Sequence, residues 1–338
     1  MQKALITGAA GFAGGHLIEY LLARGDSVLG IDRTTQWTLN SPSEEITKNV
    51  PLLAWDLGSN DTPSEPVWEQ IRDFTPTVIY HLAAVSIPKY CGTNEITPLA
   101  EQVNIGGTRR IIHLAQRLYQ RTTVKPLLLF FSSSRVYGNM DSPNANRFCN
   151  ESAELHPKGG YALSKRRGEE LILNADAEGL IDAMIIRPFQ HTGPRQTGEL
   201  MLPDWLNQIQ SGVAAGKSQI TVNTRCLDTI IDLTDVRDMA RGYALCADFA
   251  CDAIHDAVPV YNMGSGSVRS CREIFDLLAQ IAARRLGVEI TPRVENVLPD
   301  FPPFADCSRL EQNEIDWTPE IDLESTLTDA LKWKFPVK

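Results

Sequence analysis

Several features are missing from this 338-residue chain, and each absence removes a class of function. There is no run of about eighteen apolar residues, the length a bilayer span requires. No charged-then-apolar leader precedes the first strand pattern, so the expected location is the cytoplasm, with no membrane partner. Positive charge is not in excess. The net charge of −10 argues against nonspecific binding to nucleic-acid phosphates. No C-x-x-C pair occurs, and the seven cysteines are scattered and odd in number. Free buried thiols are expected, Cys246 and Cys251 among them in an apolar helical stretch, rather than disulfides or a metal site. Internal repeats and low-complexity tracts are also absent.

What is present suits one large α/β domain or two intimate ones, with 43% hydrophobic residues to build the core. The organising stretch is Lys3 to Gly15, KALITGAAGFAGG. Ala4-Leu5-Ile6 is the short apolar run of a central parallel strand. Gly8, Gly11 and Gly14 follow at every third position, and a helix from about Phe12 to Arg24 comes next. The first glycine allows a sharp reversal. The second lets the backbone approach a pyrophosphate, and the third lets the helix lie close on the strand. The helix points its N-terminal N–H groups at that anion. A lone glycine triplet is only a tight turn; a strand before it and a helix after it make it a dinucleotide site.

Val28 to Asp32 reads as the second strand. Asp32 lies 32 − 14 = 18 residues past the last glycine, near the spacing at which a carboxylate meets the adenosine ribose. That favours NAD. Arg33 follows and can stack on adenine or hold a 2′-phosphate, which keeps NADP as the alternative.

The first half continues as alternating strands and helices, the pattern of a doubly wound parallel sheet. Thr34 to Asn49 reads as a surface loop. Pro51 to Asp56 is a third strand whose end, Asp56-Leu57, is placed to meet adenine. Thr77 to His81 is a fourth, running into Leu82-Ala83-Ala84, small enough to pass beside the cofactor. His81 reads as a core histidine at a strand end. Asn104 to Gln120 is a helix with Ile105, Ile111, Ile112, Ala115 and Leu118 largely on one face. Asn104 either faces the nicotinamide or caps a turn. Leu127 to Phe131 is a fully apolar fifth strand ending in Ser132-Ser133-Ser134. Met140 to His156 reads as a loop, Tyr161 to Ala177 as a helix and Ala183 to Ile186 as a sixth strand. Gln190 to Gly198 reads as an ordered loop over a site. The dinucleotide-binding part is placed at 1–188 with 221–263, and a smaller, partly interleaved substrate-binding part at 189–220 with 264–338. The site is expected between them, at the carboxyl ends of the strands.

Tyr161 and Lys165 are four apart on one helix and share a face. A free phenol, with a pKa of about 10, is a poor base at neutral pH. A nearby cation stabilises phenolate and brings that value down. The pair is weak evidence alone. Its place in the order, after a glycine turn and after serines that close a central strand, strengthens it.

That order resembles the extended short-chain dehydrogenase/reductases, which include nucleotide-sugar epimerases, dehydratases and reductases. The matching pieces are TGAAGFAG, HLAA, FSSSRVYG, YALSK, RPFQHTGP, DLTDVRD and YNMGSG, spread over nearly the whole chain. RPFQHTGPRQ and the C-terminal DCSRLEQNEIDWTPEIDLESTLTDAL are most similar to the branch that reduces GDP-4-keto-6-deoxy-D-mannose. The resemblance implies that Ser133 hydrogen-bonds the reacting sugar oxygen, Tyr161 exchanges the proton and Lys165 tunes it. It implies that Gly8, Gly11, Phe12, Ala13 and Gly14 hold the pyrophosphate, Asp32 the ribose, and that Pro188 and His191 border the cofactor. Gln190 stands where relatives usually have Asn against the substrate diphosphate. A homodimer is implied, built from the Asn104 and Tyr161 helices.

Ser134 and Arg135 occupy the two positions where sugar dehydratases carry an acidic pair. Neither is a general acid at neutral pH, so dehydration is not expected. Two diphosphate-gripping arginines of the family are missing, one replaced by Ile231 and one absent near Leu298-Pro299. Arg195 and Arg225 either substitute for them or are solvated loop charges. The leading reading is an NAD(P)-dependent reductase of a nucleotide-linked 4-keto-6-deoxy sugar. A C4 epimerase that retains its NAD is the alternative, and a dinucleotide-sensing or scaffolding protein the non-enzymatic one.

Overall fold

The computed structural model describes residues 1–336 except 60, 140–145, 253–257, 296 and 298. The first half runs β1 (Lys3–Thr7), α1 (Phe12–Ala23), β2 (Ser27–Asp32), α2 (Glu44–Thr47), β3 (Leu52–Ala54), α3 (Glu65–Phe74) and β4 (Val78–His81). It continues through α4 (Pro88–Cys91), α5 (Pro98–Ala100), α6 (Gly107–Thr122), β5 (Leu127–Phe131), β6 (Phe148–Cys149), α7 (Gly159–Ala177) and β7 (Asp182–Pro188). The second half has β8 (Gln190–Thr192), α8 (Met201–Ala214), β9 (Gln219–Thr224), β10 (Ile230–Asp235), α9 (Val236–Asp252) and β11 (Val260–Met263). It ends with β12 (Val268–Ser270), α10 (Cys271–Leu286), β13 (Glu289–Val294), β14 (Phe304–Ala305), α11 (Ser308–Gln312) and α12 (Leu323–Lys334).

Among the described residues the large sheet has seven parallel strands in the order β11-β7-β5-β4-β1-β2-β3. The chain winds outward from β1 to β3, then returns to β4 on the other side. The switch point therefore lies between β1 and β4, where a crevice opens at the carboxyl ends. Strands β1, β4 and β5 bury almost every side chain, as strands covered on both faces must. One core lies between the sheet and helices α1 and α9; the other lies under α3, α6 and α7. This is the doubly wound α/β fold expected from the alternation.

The second half builds its own core from α8, α10, α12 and the strands β9, β10 and β13. Here the expected partition is redrawn. Residues 221–235 do not join the large sheet: β9 pairs with β13, and β10 lies between β8 and β12. The reason is visible in β9, whose side chains alternate exposed and buried. An alternating strand fits a sheet with one wet face, not a strand buried on both. Within 221–263, α9 packs on the large sheet and β11 joins it.

Four local expectations also change. Gln190 to Thr192 is a strand, not loop, because it pairs in parallel with Leu233–Asp235. The polar segment 34–49 contains the short helix α2. Within Met140 to His156, Phe148–Cys149 pairs with Phe304–Ala305, while 140–145, like Leu298, lies outside the described residues. The helix expected from Asn104 starts earlier, as a π-helical turn over Glu101–Gly106 that leads into α6. No helix among the described residues is long and apolar enough to cross a membrane. The seven cysteines are all free thiols, four of them buried. Cys246 is buried in α9, but Cys251 near its end is exposed.

Candidate active site

The glycine turn has the shape a dinucleotide requires. Gly8 has φ +71°, and a Cβ there would lie 2.9 Å from the Ala83 nitrogen. A Cβ on Gly14 would collide with the Gly8 carbonyl. Gly11, the residue before α1, leaves the helix start open, with Phe12 and Ala13 supplying the first helical N–H groups. Asp32 closes the second strand beside this turn. Its carboxylate accepts the Ala10 N–H at 3.0 Å and the Arg33 N–H at 2.8 Å. Arg33 is exposed next to it. The cradle, the helix N-terminus and the acidic strand end fit a dinucleotide whose pyrophosphate rests on α1.

The other expected cofactor residues fall into different settings. Leu82, Ala83 and Ala84 line the half-exposed segment after β4, and the Ala83 N–H donates to Thr7 at 3.2 Å. Asp56 is exposed, folded over Gly58, while Leu57 turns its side chain into the core beneath α6. Asn104 is buried and does structural work: it bonds Val85 through both its amide groups, at 2.7 and 3.2 Å, and Ser164 at 2.9 Å. It ties the segment after β4 to α7. Pro188 ends β7 and stays half-exposed. His191 in β8 stacks on Phe12 at 6.1 Å and 5°. Its Nδ1 lies 3.0 Å from the Phe189 carbonyl, which can only accept, so that nitrogen carries the proton.

Ser133, Tyr161 and Lys165 come together at the end of β5. Ser133 is extended and caps the 3-10 turn Ser134–Tyr137. Its hydroxyl accepts the Arg135 N–H at 3.2 Å. Burial raises the Tyr161 phenol above its usual range, while the nearby Ser133 hydroxyl and the Arg135 charge pull it back. The Lys165 ammonium donates one of its three N–H groups to the Phe131 carbonyl at 2.7 Å, so the chain turns back to β5. Burial lowers its pKa to about 8, against the opposing pull of Cys91 and Glu169.

Beneath this trio runs a polar network that sequence reasoning missed. Arg187 grips Glu169 through two 2.9 Å bonds, both side chains buried. Arg187 also donates to the Tyr137 hydroxyl at 3.0 Å, and Tyr137 donates to Asn262 at 2.7 Å. The network joins α7, β7, β11 and the Ser133 turn. A signal existed: Glu169 is four residues past Lys165 on the same helix, and Arg187 precedes Pro188.

The candidate substrate residues divide. Gln190 opens β8, and Ser134 is buried in the turn. Ile231 packs into the second core, which explains why no arginine stands there. Arg225 is exposed between β9 and β10. Arg195 is corrected: its guanidinium is already committed to Glu19 and His16 on α1 and is no free diphosphate clamp. His16 completes this tie by donating from Nε2 to the Pro194 carbonyl at 3.0 Å. Residues 193–199 are further pinned by Thr197 to Asn40 at 2.7 Å and by Glu199 to Lys89. They form a strap joined to α1 and to the segments that follow β2 and β4. No cluster of metal-ligating side chains occurs among the described residues.

Comparison with known proteins agrees with this geometry. A model described as the NAD dependent epimerase/dehydratase family matches residues 4–264. The chain belongs to that family. It is 27% identical to the GDP-6-deoxy-D-mannose reductase of Pseudomonas aeruginosa over 100% of this chain and 99% of that one. It is 26% identical to the UDP-glucose 4-epimerase of Caenorhabditis elegans, covering 98% and 97%. Its fold is also that of the Thermus thermophilus UDP-glucose 4-epimerase solved with NAD, at TM-score 0.77 and 22% identity, covering 99% of each chain.

Proposed function

We propose that this family member is an NAD-dependent enzyme acting at C4 of a nucleotide-linked sugar, and that it reduces a 4-keto-6-deoxy sugar of the GDP-linked type. The observation that carries this reading is that Ser133 and Tyr161 meet at the end of β5, on a turn whose next two residues are Ser134 and Arg135. A hydroxyl and a phenol face one reacting oxygen, and the turn offers no carboxylic acid to expel water. Bound nicotinamide supplies the hydride for the ketone carbon. Tyr161 gives its proton to the oxygen, and Ser133 holds that oxygen as charge develops. Lys165 would bond the nicotinamide ribose, and Asp32 the adenosine ribose; Arg33 leaves room for NADP. The full-length likeness to a GDP-6-deoxy-D-mannose reductase supports the choice of sugar.

The test is turnover of GDP-4-keto-6-deoxy-D-mannose, followed by loss of reduced-nicotinamide absorbance with NADH and NADPH in parallel. Absence of oxidation with either cofactor removes the reductase reading.

One observation favours a second reading, a C4 epimerase. The strap at residues 193–199 is tied to Glu19 midway along α1 and to Asn40 after β2, which suits a cofactor that stays bound through repeated cycles. NAD that co-purifies and is regenerated during turnover decides for epimerisation.

A cytosolic homodimer through α6 and α7 belongs to the same proposal. Arg109, His113 and Arg121 lie on the exposed face of α6, so the pairing would have to offset like charges across the two-fold axis. Sedimentation giving only monomer excludes it. Recovery of the native protein in a membrane fraction excludes the location.

A further inference from the structure

Among the described residues two arginines are more than nine-tenths buried, Arg187 at 4% exposure and Arg147 at 5%. Arg187 has its counter-charge in Glu169. Arg147 has no carboxylate partner among the described residues. Its Nε donates to the Pro302 carbonyl at 3.0 Å and its Nη2 to the Ile230 carbonyl, and its guanidinium lies 3.9 Å from the centre of the Phe304 ring. Carbonyls and a ring face soften the loss of water but do not neutralise the charge. Burial pushes this guanidinium below its usual range, with no acid to oppose it. A guanidinium carries five N–H groups in a planar fork. Two are used here, which leaves both on Nη1 and one on Nη2 without a protein partner among the described residues. A buried cation with an unfilled fork is suited to an anion brought by a ligand.

The fold places that cation one small core away from the Ser133 turn. Arg147 directly precedes β6, whose Phe148 and Cys149 pair with Phe304 and Ala305 of β14. Cys149 and Ala305 share a core with Val136 and Tyr137 of the turn and with Phe189, the residue before Gln190. Asp232 of β10 accepts the Ala305 N–H at 2.9 Å, so the start of β10 is fastened to the same place. The two carbonyls that Arg147 holds therefore lie beside the two gaps in the arginine pattern. Ile230 adjoins Ile231, and Pro302 follows closely on Leu298-Pro299, the positions where a diphosphate-gripping arginine is missing. The loop arginines do not fill those gaps: Arg195 is committed to Glu19, and Arg225 is exposed.

We propose that Arg147 holds the diphosphate of the nucleotide-linked substrate, in place of the two arginines this chain lacks. This rests on the reading that the substrate is a nucleotide-linked sugar, not on the direction of its chemistry. Phosphate oxygens accept the parallel N–H groups of a guanidinium fork, and the diphosphate brings the negative charge that the protein does not supply. The cation thus comes from the segment between the Ser133 turn and α7, not from β10 or from the stretch after β13. Its bonds to Pro302 and Ile230 fix the fork before any ligand arrives, so little side-chain freedom is left to lose on binding.

The experiment is calorimetric titration of protein saturated with NAD, so that added nucleotides do not enter the dinucleotide site. GDP is compared with guanosine, and UDP with uridine. For the nucleotide that binds, Arg147→Gln is expected to weaken the diphosphate about ten- to hundred-fold and to leave the nucleoside within about two-fold. Arg147→Lys, which keeps the charge but not the fork, should fall between. Added salt should shrink the advantage of diphosphate over nucleoside in the unaltered protein, and much less in Arg147→Gln. A purely structural role would weaken diphosphate and nucleoside alike, or neither; both results overturn the proposal and leave the nucleotide-sugar reading standing. So does a diphosphate lost with Arg225→Gln but kept with Arg147→Gln. Should Arg147→Gln not fold, Arg147→Lys is read by the same ratio. Unaltered protein that binds neither GDP nor UDP removes the nucleotide-sugar reading itself, and this proposal with it.

Discussion

Arg195 reaches across from the segment after β8 to hold Glu19 on α1 with two 2.6 Å hydrogen bonds. The two side chains are 176 residues apart in sequence, and the arginine occupies the left-handed region at φ +68°. A non-glycine residue is strained there, so the pair holds a conformation the backbone alone would not choose. At 15% and 28% side-chain exposure the pair is neither fully buried nor free in water. Arg195→Ala is expected to cost about 1–3 kcal/mol, between the surface and buried limits. Arg195→Gly should be less damaging, because glycine accepts the positive φ at no steric cost. Denaturant midpoints of the two variants decide this; equal midpoints remove the strain argument.

The same tie governs cofactor exchange if the strap lies over bound NAD. Glu19→Gln removes the charge pairing while keeping the side-chain shape. Its expected effect is faster NAD release with little change in how Ser133 and Tyr161 are placed. Stopped-flow release from the purified complex measures it. A release rate identical to that of the unaltered protein makes the strap a structural feature only, and takes away the observation favouring an epimerase.

Tyr161→Phe removes one oxygen from the site and leaves the ring. Loss of a positioned proton donor typically costs about 10²–10⁴ in rate. The expected result is a drop of that size in kcat, with NAD affinity kept within a few fold. Steady-state turnover and NAD titration, run on the same preparation, separate the two. Unchanged kcat would transfer the proton role to another residue.

Residues with a regular local period are legible in the sequence. The glycine spacing places the turn, and the helical repeat places Tyr161 and Lys165 on one face. Where Lys165 then points is not legible, because the Phe131 carbonyl that captures it belongs to a strand 34 residues earlier. Arg195 is hidden for the same reason: a loop arginine looks free until the fold brings Glu19 to it. The place of residues 221–235 escapes local reading because a strand's neighbours are chosen by tertiary contacts, although the alternation in β9 is a clue. Ile231 departs from the family pattern, and its place in the second core gives the departure a physical cause.

The Glu169–Arg187 pair is the deepest charge interaction near the site, with Glu169 at 0% and Arg187 at 5% side-chain exposure. Desolvation makes such a pair a modest stabiliser against an apolar substitute, but leaving one partner behind is severe. Glu169→Gln is expected to cost about 3–5 kcal/mol, and to loosen the Ser133 turn through Tyr137. Replacing both, as Glu169→Leu with Arg187→Met, should recover much of that stability. Activity should not recover with it, because Tyr137 would still lack its Arg187 partner. Thermal melts and turnover of the single and double variants test this; a double variant as unstable as the single one refutes the uncompensated-charge account.

Acid sensitivity follows from two histidines that the fold keeps neutral. Burial and the Arg195 charge lower His16 from 6.5 to about 4. His81, buried between Thr7 and Thr108, is lowered to about 3, mainly by burial and then by Lys165. Because the unfolded chain binds a proton at each of these near pH 6.5 and the folded chain does not, lowering the pH favours unfolding. The loss begins as pH falls through about 6.5; it levels off near pH 4 for His16 and near pH 3 for His81. At about 1.4 kcal/mol for each pH unit separating the folded and unfolded titrations, His16 alone accounts for at most about 3.5 kcal/mol. Carboxylates titrate mostly below about pH 5, so the interval from there to about pH 6.5 isolates the histidines. Urea midpoints should fall across that interval, and fall less in His16→Gln, which has no proton to gain. A midpoint flat over the interval would mean that both imidazoles take up protons inside the folded protein as readily as outside it.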